Sequence, residues 1–342
     1  MIEAVTLENA EALDAFAAAH PRGHIMQCSA WGRVKEDWRW HGLLRRNALG
    51  QVVGTLALLE HRGRLPGSCL LYGPRGPICD DAGTFRALVE AAKALGRERG
   101  AWLLRLDPEL ESGDLAFRRL ARDCGFSVNA AEDFSLFQPR LCYVKELAGL
   151  DPDTLAQSWH RTARAHLRKA QAGPLRVRIG GPEDLPAFDR LMRQTAERSG
   201  FQARPPEYFA ALLRGLGDLG VLYLAELEGR PVAGAVAAYL PHTAWFLYGC
   251  SDAEGRQYHA NELLQWTMQL EALRRGCERW DLRGVEGPAE ETNPHYGLHR
   301  YKQGLGAELH SWIGQLDLVL RPGIAALYRA CEKLRRPGQS AR

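Results

Sequence analysis

The sequence predicts an α/β (α+β) fold built from two tandem copies of one module. Three observations carry this. First, one order of elements occurs twice: a helix closing at Glu98-Arg-Gly100, a strand and a helix closing at Cys124-Gly-Phe126, then a helix closing at Arg274-Arg-Gly276, a strand and a helix closing at Gln303-Gly-Leu305. Second, 342 residues give room for two domains of ordinary size, each able to bury its own core. Third, short apolar runs alternate with amphipathic stripes of helical period. The pattern resets at Leu150-Asp-Pro-Asp153, a proline turn before a long helix. Domains are therefore expected over 1–149 and 150–317, with the segment 318–342 packing back on the first.

Taken in order, Ala10, Leu13, Phe16 and Ala17 mark a helix over 8–19, and Ser29 is placed to cap a second helix that ends near Lys35. Strands are expected at 52–59 and 69–72. Gly73-Pro-Arg-Gly-Pro77 must be a loop, since both prolines lack an amide donor. A helix over 85–98, a buried strand over 102–106 and a helix over 115–123 complete the first module. The second has a long helix over 154–171, a strand at 175–179 and helices near 183–196 and 206–214. Strands at 220–226, 231–240 and 244–249, a helix over 259–275, a strand at 279–283 and a short helix broken by Gly304 and Gly306 follow.

Charged residues are 25% of the chain and hydrophobic ones 46%, values of a globular protein. A net charge of +3 does not announce a nucleic-acid binder, so phosphate contacts must come from local patches. Glu3, Glu8, Glu11 and Asp14 precede any basic residue, which is wrong for a signal peptide. No apolar run reaches the length of a membrane span, and a soluble, cytoplasmic, monomeric protein is expected. The eight cysteines form no CxxC pair, as buried reduced thiols would. His295 and His299 are four apart, but Gly297 intervenes and no Glu follows His295, so no metal site is expected. Gly249-Cys-Ser-Asp-Ala253 lacks the second glycine of a nucleophile elbow, which excludes Ser251 as a hydrolase nucleophile.

A helix, a strand and a helix ending in a Gly-Phe-type turn resemble the closing segment of GNAT-type N-acyltransferases. Two such modules in tandem resemble the Fem family of aminoacyl-tRNA-dependent transferases that build peptidoglycan cross-bridges. His24 to Lys35 resembles that family's early Gln-x-x-x-Trp-x-x-Val-Lys signature, and Leu71-Tyr-Gly-Pro-Arg-Gly-Pro77 its Tyr-x-Pro-Arg-Gly-Pro loop. Tyr248 to Ser251, Gln265-Trp266, Gly276 to Asp281 and Tyr296 to Gly306 match further family motifs in order. The chain is too short for the long helical arm of some members and resembles the compact ones.

The resemblance implies roles for particular residues. Lys35 would meet the diphosphate of a nucleotide-linked precursor; alone, it reads as a solvated surface lysine. Arg204 and Tyr208, four apart at a helix entry, would hold the same precursor, with packing as the plainer reading. Phe246 and Tyr248 are expected to alternate on one strand face and line the acceptor site; the family has tyrosine at both places. Arg75, in the 73–77 loop, is a further candidate for substrate binding. Lys302, preceded by Tyr301, would face the aminoacyl ester, where a cation stabilises the oxyanion; its plainer reading is a lysine at a helix C-terminus. Asp107, at a strand end before proline, could accept the proton of the attacking amine, or simply form a turn. Arg161, Arg164, Arg168 and Lys169 fall on one helix side that could dock a tRNA acceptor stem, or be a solvated face. Lys333-Leu-Arg-Arg336 forms a second basic cluster.

The expected activity is transfer of glycine, alanine or serine from aminoacyl-tRNA to the side-chain amine of a peptidoglycan stem peptide, carried by UDP-MurNAc-pentapeptide or lipid II. The lipid-linked acceptor would require a peripheral membrane encounter. No cofactor is implied beyond the aminoacyl-tRNA co-substrate. An acyl-CoA-dependent N-acyltransferase is the alternative, but no Gln/Arg-x-x-Gly-x-Gly/Ala run precedes a helix here. A binder of the precursor without turnover is the third.

Overall fold

The protein is described by a computed structural model covering residues 1–63 and 65–335. Two sheets of closely similar strand order organise it. The first part of the chain supplies β1 (Ile2–Val5), α1 (Glu11–Ala19), α2 (Ser29–Val34), β2 (Arg39–Arg46), β3 (Val52–Arg62), β4 (Cys69–Gly73) and β5 (Ile78–Cys79). It continues through α3 (Ala82–Arg99), β6 (Ala101–Leu106), α4 (Leu115–Asp123) and β7 (Ser127–Asn129). The second sheet opens with β8 (Leu141–Glu146), α5 (Pro152–Gln157), α6 (Arg161–Ala172), β9 (Arg176–Gly180), α7 (Leu185–Ser199) and α8 (Pro206–Leu216). It is completed by β10 (Gly220–Leu227), β11 (Arg230–Tyr239), β12 (His242–Ser251), α9 (Ala253–Gln257), α10 (Ala260–Arg274), β13 (Cys277–Val285), α11 (Tyr296–Gly304) and β14 (Glu308–Ser311). The chain then returns as β15 (Gln315–Val319) and α12 (Pro322–Arg335).

The first sheet runs β1-β2-β3-β4-β6-β15-β7, with β5 on β3, and the second β9-β10-β11-β12-β13-β8-β14. In each, four antiparallel strands lead through a helix to a fifth strand parallel to the fourth: β4 with β6, and β12 with β13. The helices α3 and α10 fill that crossover, and α3 ends at Gly100 in the left-handed region (φ 74°), which only glycine enters without strain. The sixth place is where the copies differ in origin. In the second sheet it is held by β8, which precedes the module; in the first it is held by β15, which follows the other module. Arg105 on β6 fixes β15 with a bidentate pair to Asp317 at 2.7 Å for both bonds.

The compact units accordingly comprise residues 1–17, 26–131 and 312–342, and residues 18–25 and 132–311. The break lies ahead of the expected one at 149/150 because β8 pairs with β13 and β14 rather than with the preceding sheet. A proline turn marks a change of local structure, not the strand's choice of partner. In the first unit, Tyr328 of α12 stacks on Trp102 with ring centroids 4.6 Å apart.

Leu56, Leu71, Phe85, Leu88 and Leu104 form the core of the first unit; Tyr143, Trp159, Tyr239, Leu264 and Trp280 belong to that of the second. The expected helix over 154–171 is in fact two helices, broken at Ser158, Trp159 and His160, because Trp159 turns into the core. The seven cysteines among the described residues are buried and reduced. The Lys333 to Arg336 side chains lie outside the described residues. Among the described residues, no helix is long and apolar enough to cross a membrane.

Candidate active site

In the first unit the 73–77 loop is built around a buried carboxylate. Asp107, at the end of β6, accepts from the Tyr72 hydroxyl and from the Arg75 backbone N–H, each at 2.6 Å. Burial pushes its pKa up against the pull of Arg75. Arg75 itself is buried, sits at φ 58° and pairs with Glu109 at 3.2 Å. Gln27 ties the same loop to β3, donating to the Pro74 carbonyl at 2.7 Å and accepting from Ala57 N–H at 2.9 Å. The Gln27 of the signature motif is thus a loop anchor, a role that its place in the motif did not disclose. Lys35, half-buried at the C-cap of α2, lays its ammonium over the Trp31 ring, 5.5 Å from the centroid.

In the second unit, α11 carries two of the residues expected to do chemistry, Tyr301 and Lys302, and turns them to different sides. Lys302 is buried, and its Nζ donates to the carbonyls of Arg283 at 2.9 Å and Gly284 at 2.7 Å. Those carbonyls are available because Arg283 adopts φ 63° where the pairing of β13 with β8 shifts register between Asp281 and Gly284. Asp281 stabilises the turn by accepting from Arg283 N–H at 2.5 Å. Burial lowers the Lys302 pKa to about 8. An ammonium has three N–H bonds, so the two carbonyls also fix the direction of the third.

Tyr301, the next residue back, lines a cavity of about 420 Å³ against α6 and the start of α10, which Lys302 does not border. His160, His166, Glu262, Tyr296 and Arg300 share its wall. Burial holds the Tyr301 phenol protonated, well above its ordinary range. His166 and His259 stack 4.1 Å apart at 10°, with Glu262 3.1 Å from His166. These three offer a metal-ligand set within 4.8 Å. Parallel rings, however, direct their lone pairs side by side rather than at one ion.

The third group sits on α8 and β12. The Arg204 guanidinium lies 5.4 Å from the Tyr208 ring centroid, and the Tyr248 hydroxyl donates to Tyr208 at 3.1 Å. Phe209 meets Tyr248 edge-on at 5.2 Å. Phe246 does not join them, which corrects the expectation that it shares a face with Tyr248. Val236 pairs with Tyr248 but the adjacent Ala237 pairs with Phe246, so a bulge takes up Leu247. Cross-strand partners share a face and neighbours alternate, so one extra residue sends the two rings to opposite sides. Phe246 packs on the core with Ala237. Alternation counted along the sequence cannot reveal a bulge.

A family model described as an acetyltransferase (GNAT) domain matches residues 157–303, which run from the end of α5 to the last turn of α11. FemX, known from a crystal structure, superposes with a TM-score of 0.88 and 22% identity over 96% of this chain and 99% of its own. A tandem GNAT protein from the clavulanic acid pathway has the same fold at a TM-score of 0.55 and 15% identity, over 94% of this chain and 99% of its own. Lipid II:glycine glycyltransferase of Staphylococcus saprophyticus is 26% identical, covering 95% of this chain and 94% of the relative. Along almost its whole length the chain is similar to Fem-type proteins. It is an acyltransferase with two GNAT-fold modules. The alignment with the staphylococcal relative runs over 400 positions, more than the 342 residues here, so that relative carries segments this chain lacks. Among the described residues the longest helix is α3, at 18 residues.

Proposed function

We propose that this protein is a Fem-family enzyme that transfers an amino acid, glycine in the first instance, from aminoacyl-tRNA to the side-chain amine of a peptidoglycan stem peptide. The observation that carries this is similarity along 95% of the chain to a relative named for glycine transfer to lipid II. The amine nitrogen forms a bond to the ester carbonyl carbon, negative charge moves to the carbonyl oxygen, and collapse breaks the bond to the tRNA ribose oxygen, which takes up the proton. Lys302, a cation oriented by two carbonyls, supplies the donor for that oxygen. Tyr301 and the cavity beside it receive the aminoacyl end, and the Arg161, Arg164, Arg168 and Lys169 side of α6 meets acceptor-stem phosphates. Arg204, Tyr208 and Tyr248 hold the precursor, with Lys35 toward its diphosphate. Asp107, with both oxygens engaged by Tyr72 and Arg75, is assigned to shaping the 73–77 loop rather than to proton transfer.

The protein is taken to act as a monomer in the cytoplasm and to approach the membrane surface for a lipid-linked acceptor. The match to an acetyltransferase domain supports a second reading, acyl transfer from acyl-CoA. Incubation with glycyl-tRNA and either UDP-MurNAc-pentapeptide or lipid II distinguishes them. A stem peptide heavier by one glycine is expected; product formed only with acetyl-CoA establishes the second reading, and binding without turnover refutes both.

A further inference from the structure

Strand β8 enters the second sheet from outside the repeated module, and two of its side chains point to the same face as α11. Tyr143 and Lys145 are two apart, so they project together. Tyr143 lies 3.1 Å from His299 Nδ1 on α11. The other ring nitrogen of His299 is 3.3 Å from the Glu286 carbonyl, which can only accept. His299 Nε2–H therefore donates to that carbonyl, and Nδ1 shares a hydrogen bond with the Tyr143 hydroxyl. Gln303, also on α11, hydrogen-bonds to Tyr143 as well.

Lys145 acts six residues further along. Its Nζ donates to the carbonyl of Leu305, the C-cap of α11, at 2.9 Å and to Ser158 Oγ at 2.6 Å. Its ammonium also lies 5.7 Å from the Trp159 ring centroid. The next turn is closed around it. Gly306 sits at φ 78°, and a Cβ there would fall 2.4 Å from the Ser158 carbonyl oxygen. His160 N–H donates to the Gly304 carbonyl at 2.9 Å, so the 158–160 break between α5 and α6 is bonded to the same helix end.

Neither side chain borders the cavity, and among the described residues no carboxylate pairs with Lys145. Burying an ammonium is costly, and a methionine would fill that space without the cost. What the lysine adds is direction: a donor at the end of a short helix whose other side presents Lys302 to β13. We propose that Tyr143 and Lys145 are positioning residues that set the register of α11, and through it the placement of Tyr301 and Lys302. This rests on the reading that α11 carries the transfer chemistry.

The test uses the full chain with Lys145→Met and Tyr143→Phe, read by amide hydrogen exchange and by turnover. Exchange of peptides spanning 296–306 should rise about 10- to 100-fold in Lys145→Met, with β10 to β12 unchanged. The glycine-transfer kcat should fall at least about tenfold while KM for the precursor stays put. Unaltered exchange over α11, or a uniform rise across the unit, overturns the proposal. If Lys145→Met does not fold, Tyr143→Phe decides, because it removes one hydroxyl. Faster exchange at 296–300 with shifted His299 imidazole ¹⁵N resonances supports the latch, and unchanged values refute it. Exchange is independent of activity, so a wild-type protein without transfer refutes the functional reading and leaves this test standing.

Discussion

At the scale of single residues, the account turns on buried groups whose partners differ in kind. Lys302 donates to two backbone carbonyls, and burial lowers its pKa to about 8. Its charge is present below that pH and lost above it. The acceptor amine must be neutral to attack, so rate rises with pH until Lys302 discharges. A bell is therefore expected, falling through about pH 8. Lys302→Arg should retain a lower rate whose alkaline fall is gone, because a guanidinium does not titrate there. A pH–rate series on both proteins checks this, and the same alkaline limb in both contradicts it. Folding linkage has a definite sign too. Lys145 is held at about 7, below its unfolded value, so between about pH 7 and 10.5 the folded chain binds fewer protons. The Lys145 contribution to stability grows as pH rises through that window, and Lys145→Met should flatten the pH dependence of thermal unfolding. Asp107 differs, with both oxygens bonded within its own unit. Asp107→Ala leaves the Tyr72 hydroxyl and the Arg75 amide buried without that acceptor. It should destabilise by about 2–4 kcal/mol, read as a lower urea midpoint with unchanged slope.

At the scale of elements, most strands and helices were legible because burial and period coincide. The helix over 115–123 has the residues expected of it, and α3 extends the expected one by a few residues at its start, where Asp81 caps it. Reading failed where a partner decides the structure. Strands β1, β2 and β8 carry arginine, lysine or glutamate among apolar residues and so lack a clean alternation; pairing defines them. The apolar and basic stripe over 154–171 is continuous in sequence, yet Trp159 breaks it by turning inward. The site motifs name residues in order along the chain, not their geometry. Sequence put Lys302 beside Tyr301; only the helix separates them onto β13 and the cavity wall. At this scale Gly306→Ala is informative. The added methyl meets backbone at a left-handed position, and a loss of about 1–3 kcal/mol with a fall in transfer is expected. Wild-type stability and turnover in that variant would remove the tight turn from the account.

At the scale of the whole molecule, the two sheets show one plan used twice, with β8 and β15 supplied from outside the repeated segments. Duplication was legible from the matched helix–strand–helix order; the exchange of strands was not, because it depends on contacts distant in sequence. On the proposal that the basic side of α6 docks acceptor-stem phosphates, log KM for aminoacyl-tRNA should rise with log salt while KM for the nucleotide-linked precursor changes less. Salt series that run parallel for both substrates would argue against that surface. The most direct measurement is single-turnover transfer from glycyl-tRNA to lipid II by wild type and Lys302→Met, with precursor binding followed in parallel. The account predicts a stem peptide gaining one glycine in wild type, and at least about a 100-fold slower reaction in the variant with binding preserved. Equal rates in the two proteins, or wild-type product that forms from acetyl-CoA alone, would contradict it.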